Sequence, residues 1–307
     1  MPRNSWHPFP RVVRATAGGP LQSTSANTLV DTQGGLKFAK SPRWIGNKLL
    51  FLDIHDRCIK SADMNGSVKI VRALPYLPGG LGVLPDGGLI VGDAWRRRID
   101  RWALAGPEQM ADLGKVAGFC LSDGIVDSHG GMYVGDVGFD FLDPLAHPVP
   151  NGVIVHVSAG GVSSVVAEDL FFPNGMVITP DNSTLIVAET LAHRLTAFEI
   201  EKDGSLRNRR VWAKFEDDTK PDGICLDCEG AIWVAATGPR ALRVREGGDV
   251  DQQITTERPV YATMLGGPKR KHLFMCTSTS DDPVMTRRIS NATIDIAEVN
   301  TPGSGIP

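Results

Sequence analysis

Short apolar runs separated by turn residues follow one another along most of this chain, and one such unit is repeated. The unit is clearest at 172–189, FPNGMVITPDNSTLIVAE, where a polar residue and a glycine precede two apolar runs with a turn between them. It recurs as SDGIVDSHGGMYVGD from Ser122 and as PDGICLDCEGAIWVA from Pro221, with looser copies from Ser41 and Pro78. Runs of this length, bounded by Gly, Pro, Asp or Asn, are typical of β-strands joined by hairpins.

The spacing of the repeat predicts the fold. The glycines that begin four copies, Gly80, Gly124, Gly175 and Gly223, are separated by 44, 51 and 48 residues, and a repeat of this length with several short strands is typical of a β-propeller blade. We predict an all-β, six-bladed β-propeller with blades at about 41–74, 78–113, 121–168, 172–215, 221–257 and 258–298.

A closed ring needs its two ends to be joined. A strand within 27–37 is expected to pair with the last blade, because a strand from the opposite terminus removes an exposed sheet edge. The propeller domain is therefore predicted to cover residues 27–307, and residues 1–26 are predicted to form an N-terminal extension.

Composition narrows the classes of partner. The formal net charge is −3, whereas a nucleic-acid or anionic-membrane partner favours a basic surface. No apolar run approaches the roughly 18 residues of a membrane span, and the first 20 residues lack the apolar core of a secretory signal. Five scattered cysteines fit a reducing compartment. We expect a cytoplasmic protein that acts on a small molecule; the sequence does not indicate its oligomeric state.

Three copies of the repeat place an oxygen-bearing side chain directly before the glycine: Asp123, Asn174 and Asp222. The innermost strands of a propeller begin at one mouth of the central channel, so equivalent positions are expected to converge there. Carboxylate and amide oxygens are the ligands that hard divalent cations prefer. The alternative is that Asn-Gly and Asp-Gly are only turn or bulge dipeptides.

These motifs resemble those of the senescence marker protein/gluconolactonase/luciferin-regenerating enzyme family, six-bladed propellers that hydrolyse lactones with a bound divalent metal. The resemblance extends from about residue 30 to 300 and is carried by 41–44 (SPRW), 122–124 (SDG), 172–175 (FPNG) and 221–223 (PDG). It implies that Asn174 and Asp222 occupy two of the three metal-ligand positions, for calcium or zinc, and that Asp222 is also the general base.

The chain departs from the family pattern at the same mouth. Lys40 stands where the family has its third metal ligand, a glutamate, and Ser122 stands where the family usually has an asparagine that contacts substrate or a metal-bound water. Cys120 occupies a position where some members place a substrate-binding arginine. Ser122, Asp123, Asn174 and Cys120 are candidate substrate-binding residues, and Asp140, in the Pro-rich insertion at 140–152, is a further one.

Lys40 changes the charge that the site offers to a metal. Two like unit charges about 4 Å apart repel by roughly 4 kcal/mol at an effective dielectric near 20, and a divalent ion doubles this. We therefore expect no cofactor, with calcium or zinc at Asn174 and Asp222 only if the family site survives. The ammonium of Lys40 is expected to replace the metal and pair with Asp222; in the alternative it turns outward into solvent.

Several functions remain open at this point. The first is a lactone or ester hydrolase in which Lys40 and Asp222 are the catalytic residues. The second is a metal-independent isomerase, lyase or cyclase that uses the Lys40–Asp222 pair, since a desolvated lysine also forms Schiff bases. The third is a non-catalytic binding protein that has lost the metal, and a fourth is an ordinary metalloenzyme with an engineered lysine at position 40.

Overall fold

Six small sheets form a ring in the computed structural model, which describes residues 21–103, 105–143, 145–215 and 218–305. Two short strands come first, β1 (Gln22–Ser25) and β2 (Asn27–Val30). Blade one contains β3 (Ala39–Ile45), β4 (Lys48–Asp53), β5 (Cys58–Ala62) and β6 (Val68–Ala73). Blade two contains β7 (Pro78–Val83), β8 (Leu89–Asp93), β9 (Arg98–Ala103) and β10 (Gly106–Asp112). Blade three contains β11 (Leu121–Val126), β12 (Met132–Asp136), β13 (Gly152–Val157) and β14 (Ser163–Leu170).

The second half of the ring repeats the same order. Blade four contains β15 (Pro173–Ile178), β16 (Thr184–Glu189), β17 (Arg194–Ile200) and β18 (Leu206–Lys214). Blade five contains β19 (Ile224–Leu226), β20 (Ile232–Ala235), β21 (Arg240–Val244) and β22 (Val250–Thr255), and blade six contains β23 (Val260–Gly266), β24 (His272–Thr277) and β25 (Thr293–Glu298). The helical segments are α1 (Pro283–Arg288) and the 3-10 turns Thr32–Gly34, Ile54–Asp56, Thr190–Ala192 and Pro268–Arg270. The predicted six-bladed propeller is confirmed.

Strand β2 closes the ring as predicted. It pairs antiparallel with β25 and is the outer strand of blade six, so the first and last parts of the domain share one sheet. Strand β1, which falls within the predicted N-terminal extension, pairs parallel with β22 at the edge of blade five. Residues 1–20 of the extension lie outside the described residues.

The core lies between neighbouring blades, which explains the apolar runs of the sequence. Inner and middle strands such as β8 and β16 are buried almost throughout, whereas the outer strand β6 is mostly exposed. The largest cluster joins blades five, six and one, and there Trp44 stacks on Phe274 with ring centroids 5.2 Å apart. Because each blade buries both faces, its strands read as continuous apolar runs.

Helix α1 is an element that the hydrophobic pattern did not predict. It has six residues, and Asp282 caps its N-terminus by accepting hydrogen bonds from the backbone N–H groups of Val284 and Met285. Six residues are fewer than two helical turns, so the sequence cannot show the repeated apolar positions by which a helix is predicted. In the described part of the chain, no helix is long and apolar enough to cross a membrane.

Candidate active site

The residues before the repeat glycines lie at one mouth of the channel, because the inner strands all begin there. In five of the six blades, the pairing of the innermost strand with its neighbour shifts register near its start, for example between Lys40 and Arg43 and between Pro173 and Met176. Such a β-bulge adds a residue to one strand and re-aims its side chains. In blades three and four, the dipeptides Asp123–Gly124 and Asn174–Gly175 therefore lie at a bulge, and Asp123 and Asn174 also line the channel.

Close packing of these strands requires the glycines. A Cβ on Gly175 would lie 2.5 Å from the carbonyl oxygen of Asp222 and 2.7 Å from the Cα of Gly223. A Cβ on Gly223 would lie 2.6 Å from the Cβ of Ala262. Both positions exclude any side chain, so the strands that carry Asn174 and Asp222 lie in contact around the axis.

These strand ends surround a cavity of about 640 Å³. Of the residues proposed from the sequence, the cavity is lined by Lys40, Cys120, Ser122, Asp123, Asn174 and Asp222. Lys40, Asn174 and Asp222 are only 6–7% exposed. The structure thus brings together side chains from blades one, three, four and five.

Lys40 points into the channel and pairs with Asp222. Its ammonium donates a hydrogen bond to Asp222 Oδ1 and another to the backbone oxygen of Tyr261, at 2.9 Å. An ammonium has three N–H donors, and no third partner is present among the described residues. Burial raises the pKa of the Asp222 carboxyl above its ordinary value, while the charge of Lys40 opposes the rise.

Asn174 offers an unpaired acceptor beside this ion pair. Its Nδ2 donates to Thr190 Oγ1 at 3.3 Å, and that hydroxyl donates to the backbone oxygen of Pro221 at 2.8 Å. These bonds fix the amide so that Oδ1 is the free end. Within the described residues Oδ1 is buried and accepts no hydrogen bond, which is unusual for a buried polar atom and indicates a binding position.

Asp123 is held by its own neighbours. Its Oδ1 accepts hydrogen bonds from Ser41 Oγ and from the backbone N–H of Gly124, both at 2.8 Å, and Arg43 Nη2 lies 3.6 Å from it. The carboxylate is thus neutralised within the site. Ser122, next to it, is half-buried and lines the cavity.

Cys120 and His55 line the cavity in uncharged forms. Burial raises the pKa of the Cys120 thiol to about 12, and a thiol rather than a thiolate is a poor nucleophile. Burial also lowers the pKa of His55 to about 4. His55 Nδ1 hydrogen-bonds to Thr286 Oγ1, which ties the 3-10 turn after β4 to helix α1.

Asp140 lies outside the cavity lining, unlike the other proposed residues. Its side chain is exposed, and its Oδ1 accepts hydrogen bonds from the backbone N–H groups of Leu142 and Asp143. Caps of this kind are common for Asp at the start of a turn. The residues of the insertion that line the cavity are Phe141, Asp143, Ala146 and Pro148, and Phe139, directly before the insertion, lines it as well.

Sequence reasoning missed a set of buried carboxylates that position the site. In blades one, three and four, the acid at the end of the second strand accepts backbone hydrogen bonds from residues a few positions before the inner strand: Asp53 from Phe38 at 2.9 Å, Asp136 from Gly118 at 2.9 Å, and Glu189 from Phe171 at 3.0 Å. The acidic residue that ends the LLFLD, MYVGD and LIVAE runs was the available signal. Asp53 fixes the segment that delivers Lys40.

The residues present do not fit a divalent cation. Among the described residues, no three His, Cys, Asp or Glu side chains come together in a way that suits a metal ion. Asn174 Oδ1 is an available ligand, but Asp222 Oδ1 is in contact with the ammonium of Lys40. A cation at this position would meet the ammonium of Lys40 where it needs a third oxygen ligand.

A family model and curated relatives match this chain. The model of the SMP-30/Gluconolactonase/LRE-like region matches residues 38–279. The 6-deoxy-6-sulfogluconolactonase of Pseudomonas putida is 28% identical over 223 residues, which are 70% of this chain and 73% of that protein. Regucalcin of Danio rerio is 28% identical over 163 residues, 52% of this chain, and the chain spans only about half (53%) of that relative.

A solved structure shares the same fold. The calcium-binding protein regucalcin of Agrobacterium tumefaciens superposes with a TM-score of 0.74 at 18% identity, covering 93% of this chain and 98% of that chain. At this level of identity the likeness concerns the propeller architecture.

Proposed function

Because this chain belongs to the SMP-30/gluconolactonase/LRE-like family, we propose that it is a lactone or ester hydrolase in which the Lys40 ammonium takes the electrostatic role of the metal. Relatives named as lactonases support the reaction class. One observation carries the role of Lys40: its buried ammonium contacts Asp222 and the Tyr261 carbonyl oxygen, which leaves one N–H donor for a substrate in the cavity.

The free donor suits the developing oxyanion. When water adds to a lactone carbonyl, negative charge accumulates on the carbonyl oxygen, and a donor aimed at that oxygen stabilises the transition state more than the ground state. In a nearly buried site this attraction is stronger than in water. Lys40 is held in place by its two existing hydrogen bonds, so little reorganisation is needed.

Asp222 and Asn174 suit the attacking water. Asn174 Oδ1 is an unpaired acceptor, and Asp222 Oδ2 accepts no hydrogen bond among the described residues. A water that donates one hydrogen bond to each is oriented and activated by a carboxylate whose pKa burial has raised. The water oxygen bonds to the carbonyl carbon and its proton moves to Asp222. The ring C–O bond then breaks, and the same proton passes to the departing alkoxide, giving a hydroxy acid.

Proton release during lactone hydrolysis tests the proposal. With dihydrocoumarin as substrate and EDTA present, we expect activity in the native chain and a loss of roughly 100-fold or more in kcat for Lys40→Met and Asp222→Asn. The exposed residues Lys48 and Asp218 provide matched controls, Lys48→Met and Asp218→Asn.

A folding control keeps the result interpretable. Lys40→Met alone leaves a buried, unpaired carboxylate, which destabilises a protein by about 3–5 kcal/mol, so the double variant Lys40→Met/Asp222→Asn is included to remove both charges together. Full activity in a folded Lys40 or Asp222 variant would place the chemistry elsewhere. Loss of native activity in EDTA, restored by calcium or zinc, would return the role to a metal.

A further inference from the structure

Five aromatic side chains form a connected cluster at the cavity, which we call the aromatic wall: Trp95, Phe119, Phe141, Phe172 and Phe139. All of them except Phe119 line the cavity. Trp95 and Phe119 meet edge to face with ring centroids 5.4 Å apart, Phe119 and Phe141 at 6.0 Å, Phe141 and Phe172 at 5.3 Å, and Phe139 and Phe172 at 6.3 Å. These separations are those of favourable aromatic pairs. The wall draws on blade two, the segment before blade three, the Pro-rich insertion and blade four.

The wall is left open to the cavity rather than covered by protein. Trp95 is 41% exposed and Phe141 is 42% exposed, and both line the cavity. Leu142 and Leu145 of the same insertion are also exposed. Large apolar side chains grouped around a mouth are an unusual use of surface and mark a binding site.

The cavity lining combines reactive polar groups with large apolar side chains. The polar side, with Lys40, Asn174 and Asp222, can serve one carbonyl group and one water. Cys120, whose thiol is uncharged, and Val137 line the same cavity. A polyhydroxylated lactone that lies against the aromatic wall would bring hydroxyl groups to side chains that cannot pair with them, and each hydroxyl buried without a partner lowers affinity by about tenfold.

We propose that the substrate is a lactone that carries an apolar alkyl or aryl group, which lies on the aromatic wall while the ring carbonyl faces Lys40. This inference rests on the proposed hydrolase function. The wall determines specificity, and the Lys40 and Asp222 side performs the reaction. Four residues of the wall line the same cavity as the Lys40–Asp222 pair, so one substrate can contact both.

A series of γ-lactones with lengthening alkyl groups, from γ-butyrolactone to γ-decalactone, measures the effect directly. Each buried methylene is expected to raise kcat/KM by about fourfold until the wall is covered. D-glucono-δ-lactone is expected to be a poorer substrate than the longer members. Faster hydrolysis of gluconolactone than of every alkyl lactone would overturn the proposal.

Variants of the wall separate specificity from stability. Phe141→Ala and Trp95→Ala are expected to flatten the dependence of kcat/KM on alkyl length, a readout that a merely structural role would not change, and Phe141→Leu is expected to restore part of it. Ile70→Ala, which removes an exposed apolar side chain from the outer strand β6, should leave the dependence unchanged. An unaltered slope in both wall variants would show that the alkyl group binds elsewhere.

Lactams with the same alkyl groups distinguish failure of this inference from failure of the proposed function, because they bind without being hydrolysed readily. Calorimetric affinity that rises with lactam chain length, together with no lactone hydrolysis, would support the ligand class and reject the hydrolase. Hydrolysis with affinity and kcat/KM independent of chain length would retain the hydrolase and reject the apolar substrate.

Discussion

Replacing Lys40 by glutamate tests whether this one residue excludes a divalent metal from the site. The substitution supplies a third oxygen ligand beside Asn174 Oδ1 and Asp222, and it removes the ammonium that now contacts Asp222. Carboxylate and amide oxygens are the ligands of calcium in proteins. We expect Lys40→Glu to bind calcium and to depend on it for stability.

The size of the effect follows from the burial of the pair. For unit charges about 4 Å apart and an effective dielectric near 20, the attraction between residue 40 and Asp222 is roughly 4 kcal/mol, and the substitution turns it into a repulsion of similar size. Proton uptake by one carboxyl relieves part of the repulsion, since like charges that share a site raise one pKa. We therefore expect metal-free Lys40→Glu to be less stable than the native chain by about 3–5 kcal/mol, as for other broken buried pairs.

Thermal unfolding with EDTA and with calcium measures both states. A calcium concentration 100 times the dissociation constant stabilises the folded state by about 2.7 kcal/mol. At about 2 °C per kcal/mol, the value for domains of roughly 250 residues, this corresponds to a rise in Tm of roughly 5 °C. Calorimetric titration gives the stoichiometry, for which one calcium per chain is expected.

Two controls decide the interpretation. Lys40→Gln removes the ammonium without adding a carboxylate, and Lys48→Glu adds a carboxylate at an exposed position; neither should gain a calcium-dependent Tm. Equal stabilisation of the native chain by calcium would refute the reasoning, because Lys40 would then not exclude the metal. No calcium binding by Lys40→Glu would show that Asn174 and Asp222 are not placed as ligands.

Three further predictions follow from the site. Burial raises the pKa of Asp222 above 3.8, the ordinary value for Asp, so kcat/KM should be lost with a midpoint above pH 3.8 as the pH falls. Lys40→Met should move this midpoint to a higher pH, because the charge of Lys40 opposes the rise. A midpoint at or below pH 3.8 in the native chain would contradict this. Gly175→Ala should lower the free energy of unfolding by about 1–3 kcal/mol and reduce activity, because its Cβ would meet the Asp222 backbone. Gly160→Ala should do neither, because its Cβ would meet only Ser158 Oγ, at an ordinary contact distance of 3.9 Å. Glu189→Gln should lower the free energy of unfolding, measured with urea at pH 7, by about 3–5 kcal/mol. Burial alone would raise the pKa of Glu189, but hydrogen bonds from Arg194 and Thr196 lower it below its ordinary value of 4.5. The difference in stability between the native chain and Glu189→Gln should therefore shrink as the pH falls below 4.5.

The repeat predicted the fold because each blade uses the same local chemistry. A bulged inner strand needs its glycine and a hairpin needs its turn residues, so both leave marks at a fixed period. Gly175 and Gly223 are examples, since contact between inner strands leaves no room for a side chain. The closing strand near residue 27 could be predicted for a related reason, because a ring of blades leaves one sheet edge to be covered.

Features that depend on side-chain direction could not be read in the same way. Phe139 and Phe141 flank Asp140 at the start of the insertion, and the sequence analysis selected the acid as the candidate. In the structure Asp140 caps its own turn, whereas the two aromatic side chains line the cavity. A loop has no fixed period, so which of three consecutive residues faces a cavity depends on tertiary contacts such as that between Phe141 and Phe172.

For Lys40, the sequence shows which residue is unusual and the structure shows where its side chain points. The sequence identifies its departure from the family pattern but leaves two directions for a flexible side chain, inward or toward solvent. The direction is decided by packing, since the bulge between Lys40 and Arg43 aims the residue at the channel and Asp53 fixes the segment before it. Burying an ammonium is unfavourable unless it is paired, and Asp222 and the Tyr261 carbonyl oxygen supply that pairing. The same pairing occupies the carboxylate oxygen that a metal would need, so one buried contact both stabilises the lysine and opposes the cation.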